Sequence, residues 1–207
     1  MTPEHIQKLL ADAAEFHRAG LLQDALVRYE RVLAVYPYHF EANHLAGLVA
    51  LREGRVFDSL EYLERAHRVE PRDPICEMRL ALACSAADRN EEAEARLRAL
   101  TGREPGWHEA WDHLGRVQQT LGRLQDAICS YRRAVLARPD YAPGWCNLGL
   151  ALLSAGQPDE ALECVERSLS ADPRQARALR AKTVILAASS ATEPAANADS
   201  HRAATAV

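Results

Sequence analysis

A chain of 207 residues, 48% hydrophobic and 26% charged, is long enough for one sizeable or two small folded domains. Its net charge of −4 and pI near 6.1 argue against nucleic acid or an anionic membrane as partner, because both call for a clustered basic face. No apolar run approaches the roughly 18 residues of a membrane helix, and the N-terminal stretch carries Glu4, Asp12 and Glu15 where a signal peptide would be basic and then apolar.

These features predict a cytoplasmic protein without membrane insertion. Lys8 and Lys182 are the only lysines in a chain rich in arginine, alanine and leucine, a bias that suggests a GC-rich bacterial genome. The five cysteines, Cys76, Cys84, Cys129, Cys146 and Cys164, never stand as CxxC and read as small apolar packing residues.

Pro37, Pro71, Pro105, Pro139 and Pro173 recur every thirty-four residues and divide the chain into units 6–39, 40–73, 74–107, 108–141 and 142–175. A period of that length predicts stacked repeats in place of one globular core. Within each unit two apolar stretches of helical period are split by a short break, at Gly20, Gly54, Gly122 and Gly156 and, in the third unit, at Asp88. Glycine takes the left-handed conformation that ends a helix without steric cost, whereas aspartate does so less readily. The third break is therefore expected to be the weakest.

Small residues stand seven positions before each break (Ala13, Gly47, Ala81, Gly115, Gly149) and again at the start of each second helix (Ala25, Ser59, Ala93, Ala127, Ala161). In register, they allow two antiparallel helices to approach closely, with larger side chains such as Leu63, Tyr131 and Val165 filling the flanks. Each proline then disfavours helix at and just before itself.

The fourth unit reads WDHLGRVQQTLGRLQDAICSYRRAVLARP and the fifth WCNLGLALLSAGQPDEALECVERSLSADP. With their W, LG, glycine, alanine, aromatic and terminal proline, these units resemble the tetratricopeptide repeat family of bacterial type. The likeness runs from residue 6 to about 189 and implies an all-α, right-handed α-solenoid of five helix-turn-helix units (domain 1–189) with a capping helix at 176–189. The first unit departs at Asp12, and the third at Glu77, where later units carry Trp111 and Trp145. Residues 190–207, poor in large apolar side chains, are expected to be a disordered tail.

No phosphate cradle or nucleophile elbow is spelled in the chain. HEAWDH, residues 108–113, resembles a HExxH zinc site with one residue too many, which sets the two histidines about 140° apart on a helix. No catalytic residue, metal or cofactor is expected, and an enzyme is not predicted.

Binding in such repeats falls on the concave face of the first helices. Placing the family's groove positions on this sequence gives Glu41, His44, Leu48 and Leu51 in the second unit and Ile75, Met78, Arg79 and Leu82 in the third. The later units contribute Glu109, Asp112, His113 and Arg116, then Asn147 and Leu150. Leu48, Leu51, Leu82, Ile75 and Met78 would form an apolar patch, with Arg79, Arg116, Glu109 and Asp112 orienting a polar or basic stretch of ligand.

The family's clamp for a terminal carboxylate is matched by Arg79 alone, and its asparagine ladder by Asn147 alone. The expectation is a non-catalytic scaffold that holds a protein or peptide segment. A subunit serving a separate glycosyltransferase or sulfotransferase is the alternative. A homo-oligomer is compatible with the pattern but not predicted by it.

Overall fold

The structure, a computed structural model, describes residues 2–191, and every regular element among them is an α-helix. The helices gather into two compact units, Met1–Pro105 and Gly106–Val207.

The first unit holds α1 (Pro3–Arg18), α2 (Leu22–Leu33), α3 (Phe40–Arg52), α4 (Val56–Val69), α5 (Pro74–Ala86) and α6 (Asn90–Arg103). The second holds α7 (His108–Thr120), α8 (Leu124–Ala137), α9 (Ala142–Ser154), α10 (Pro158–Ala171) and α11 (Ala176–Ala191). Each repeat is a hairpin of two successive helices, and within a unit each hairpin packs on the next. The expected capping helix is α11, which packs on α9 and α10. The expected tail, 190–207, lies outside the described residues apart from its first two, which continue α11.

The breaks close in one way throughout. Gly20, Gly54, Gly122 and Gly156 have φ between 73° and 78°, and Asp88 reaches 61°. At each, the amide of the residue after the break bonds five residues back, as Leu21 does to Phe16 and Arg89 to Cys84, which satisfies carbonyls a helix end leaves open. Asp88 is held in this backbone by its neighbour: Asn90 Nδ2 donates to Asp88 Oδ1 at 2.9 Å, and Ser85 Oγ to Asn90 Oδ1 at 3.2 Å.

Small residues bring the hairpins together as the register predicts. Ala13, Ala25, Ser59, Ala93, Ala127 and Ala161 are wholly buried, and Ser59 Oγ donates to the Gly47 carbonyl at 2.8 Å. One core in the first unit centres on Leu26, Tyr29 and Val49, and another in the second on Tyr131, Leu152, Val165 and Ile185.

The departure at Glu77 has a structural account. At the equivalent position Trp145 Nε1 donates to the Pro139 carbonyl at 2.8 Å and Asn43 Nδ2 to the Pro37 carbonyl at 2.8 Å. A carboxylate cannot make that bond. Glu77 is buried and instead accepts from Arg103 on the second helix of its own repeat.

Cys76, Cys84, Cys146 and Cys164 are buried packing residues, whereas Cys129 is exposed, which corrects the uniform reading of the five. Burial pushes the Cys76 thiol up to about 12 and those of Cys84 and Cys164 to about 11, so these sulfurs are poor nucleophiles near neutral pH.

Candidate functional site: the first-helix faces

In the first unit α3 and α5 lie side by side, and a repeat of thirty-four residues sets Leu48 and Leu82 at matching positions, with Leu51 one turn beyond Leu48. All three leucines are half-buried, Glu41 is exposed, and Ile75 is 49% exposed. Met78 behaves differently. At 6% exposure it is a core residue, so the expected apolar patch loses one of its members.

Two arginine–histidine pairs cross from one repeat to the next on these helices. Arg79 Nη1 lies 2.8 Å from His44 Nε2, and Arg52 Nη1 lies 3.0 Å from His17 Nε2. A guanidinium only donates, so each imidazole accepts and must be neutral at that nitrogen. The electrostatics agree. Burial, reinforced by Arg79, pushes His44 down to about 4, and burial with Arg52 lowers His17. Phe40 packs beside His44 with ring centroids 5.3 Å apart and shields it further. Arg79, itself half-buried, thus has a neutral hydrogen-bond partner, and the carboxylate whose field reaches it, Asp73, makes no ion pair with it.

In the second unit the expected ligand-binding polar groups bind one another. Asn147 Nδ2 donates to Asp112 Oδ1 at 2.7 Å, and Asn147 Oδ1 accepts from Arg177 Nη1 at 2.7 Å. Asp112 is 4% exposed and Asn147 6%. Both ends of the Asn147 amide are spent on α7 and α11, so it cannot serve a ligand backbone, and Asp112 is withdrawn from the surface.

Glu109, His113 and Leu150 are half-buried, and Arg116 is exposed. His113 is lowered by burial and by Arg116, whose Nη1 lies 3.4 Å from its Nδ1. The HEAWDH histidines find separate partners: His108 faces Tyr141 edge-on, with centroids 4.7 Å apart, and Arg138 at 3.3 Å. Among the described residues no group of three or more His, Cys, Asp or Glu side chains is placed to hold a metal ion.

Sequence reasoning found neither Arg52 nor Arg177. A signal for Arg52 was present, whereas Arg177, thirty residues from Asn147, has none of that spacing. His44–Arg79, His17–Arg52 and Asp112–Asn147 are all thirty-five residues apart, one repeat plus one position, which pairs polar residues on neighbouring first helices.

Family models described as tetratricopeptide repeat match residues 10–74, 78–143 and 142–175. Protein FlbA of Caulobacter vibrioides is 27% identical over 161 residues, an alignment covering 78% of this chain and 27% of FlbA. The Hsp70-Hsp90 organizing protein of Triticum aestivum is 29% identical over 91 residues, covering 44% of this chain and 16% of that protein. The chain thus spans about a third or less of the curated relatives it matches. The crystal structure of TTC0263, a protein of Thermus thermophilus, superposes with a TM-score of 0.69 at 24% identity, covering 87% of this chain and 98% of that one. That likeness is one of fold.

Proposed function

Because the chain belongs to the tetratricopeptide repeat family, we propose that it is a non-catalytic scaffold whose first-helix face in the N-terminal unit holds a segment of a protein partner. The observation that carries this reading is the juxtaposition of Leu48, Leu51 and Leu82 with Arg79, a cation whose nearest hydrogen-bond partner is a neutral histidine. Apolar side chains of a segment would cover the leucines, and its carbonyl or carboxylate groups would answer the guanidinium. The Arg79 guanidinium on this face favours acidic or neutral segments over basic ones.

The name of the wheat relative, Hsp70-Hsp90 organizing protein, is in keeping with a scaffold. Nothing in the names of the reported relatives favours a subunit for a glycosyltransferase or sulfotransferase. Among the described residues no helix is long and apolar enough to cross a membrane.

The test is photo-crosslinking in the native cell, with a photoreactive side chain at Leu82 and, as control, at Arg133 on a second helix. Proteins crosslinked from Leu82 and absent from Arg133 are the expected result. Identical sets from both positions would overturn the assignment of the face.

A further inference from the structure

The second unit contains an opening that the first-helix face does not include. Val135 and Leu136 of α8, Trp145, Leu148 and Leu152 of α9, and Cys164 of α10 line a largely apolar pocket of about 590 Å³, edged by the exposed Arg132, Glu160 and Arg167. That volume falls in the range of pockets that bury a ligand group of side-chain size or larger.

The repeat explains why the pocket exists here. Shifting Cys164 back by whole repeats gives Ser130, Arg96, Tyr62 and Arg28, so the position takes a long side chain in three repeats and a small one in the last two. Tyr62 reaches over α2, where its hydroxyl donates to Glu30 Oε1 at 3.0 Å and its ring packs on the core of the first unit. Arg96 is tied to Glu92 at 2.8 Å and partly buried. A cysteine has neither the reach of Tyr62 nor the bulk of Arg96, so in the fifth repeat the space beside it stays open. Leu136 departs in the same sense. Its equivalents are Ala34, Arg68, Gly102 and Ser170, none of them a large apolar residue, yet Leu136 is 71% exposed at the edge of the apolar space.

The charge at the rim completes the picture. Arg132 is bonded to Glu160 at 2.9 Å, which leaves Arg167 as the excess cation. Its guanidinium carbon lies 4.8 Å from the Trp145 ring centroid, and no carboxylate among the described residues pairs with it. A guanidinium resting on an aromatic face keeps its N–H groups free for a planar carboxylate. The interior accepts only apolar groups, since it offers a buried polar atom few partners.

We infer that this pocket between α8, α9 and α10 binds a partner segment that inserts one large apolar side chain beside an aspartate or glutamate, the carboxylate seated on Arg167. It is a second interaction surface, lined by side chains of α8, α9 and α10 that are not among the groove positions, and it does not depend on the function proposed for those.

A random dodecapeptide library displayed on phage, selected in parallel on the full chain and on its Cys164→Tyr and Leu136→Glu variants, tests this. Tyrosine at 164 restores what the second repeat already carries at Tyr62, and Leu136 is largely in solvent. Peptides recovered on the wild type and depleted at least about tenfold on both variants, with Leu, Phe or Met within three residues of an acid, are expected. A synthetic copy of one such peptide should lose affinity by at least about tenfold with Arg167→Glu. Equal recovery on all three proteins overturns the proposal, as does a pocket-dependent set that is basic or lacks acids. Sedimentation of the wild type as a dimer that Leu136→Glu dissociates would overturn it in favour of a second copy. If Cys164→Tyr lowers the melting temperature, Leu136→Glu and Arg167→Glu still decide.

Discussion

Replacing Gly115 with alanine sets two known effects against each other. A Cβ at this position would lie 2.6, 2.7 and 2.9 Å from three ring carbons of Tyr131, where ordinary carbon contacts begin near ~3.5 Å. The ring cannot turn away freely. Tyr131 is buried, and its hydroxyl donates to Gln119 Oε1 at 3.2 Å beside the buried Ser130–Gln118 bond of 2.6 Å. Moving it by about 1 Å should cost about 1–3 kcal/mol of overpacking, against a helix-propensity gain of at most about 1 kcal/mol.

Gly102→Ala supplies the control, because that glycine lies inside α6 with nothing within 4 Å of the added carbon. Only the propensity gain acts there, so the variant should be stabilised by about 0.5 kcal/mol. Urea unfolding followed by far-UV circular dichroism should separate the two variants by about 1–3 kcal/mol, with Gly115→Ala the weaker. Equal shifts, or a Gly115→Ala protein more stable than wild type, would refute the close approach of α7 and α8 as the reason for glycine there.

Acid should weaken the first unit through His44. In the unfolded chain it titrates near 6.5 and in the fold near 4, so its contribution is complete above about pH 6.5 and is lost as pH falls toward 4. The shift corresponds to ~3 kcal/mol undamped, and solvent screening of a half-buried ring reduces that to about 1–2 kcal/mol. His44→Gln keeps an acceptor for Arg79 without the titration. Stability curves of wild type and variant that stay parallel from pH 7 to 4.5 would sink this account.

In the second unit, Asp112→Ala and Asn147→Ala should each destabilise by about 2 kcal/mol, and a double-mutant cycle should give a coupling of about 1 kcal/mol or more. Costs that add within ~0.3 kcal/mol would show that the 2.7 Å bond between them contributes nothing specific.

The predicted hairpins are the observed ones because each rests on local chemistry. The proline that closes each unit follows the end of its second helix, and a left-handed residue turns the chain at every break, including Asp88, which its neighbour Asn90 holds in the conformation glycine takes unaided. Small residues at repeat spacing then leave the two helices one way to close. The candidate site was legible only as a row of positions. Leu48, Leu51, Leu82 and Ile75 remained on the surface, while Met78, Asp112 and Asn147 did not, although all seven occupy groove positions by number.

Periodicity and turn chemistry therefore determined the family, the helices and the register, since these depend on residues within one repeat of each other along the chain. What tertiary structure alone decided is which polar groups remain available. Arg177 reaches back to Asn147, Arg79 meets a desolvated and hence neutral His44, and Cys164, without the reach of Tyr62, leaves the space beside it open. Each outcome turns on the length and charge of a side chain arriving from a neighbouring repeat, a quantity that hydrophobic spacing does not encode.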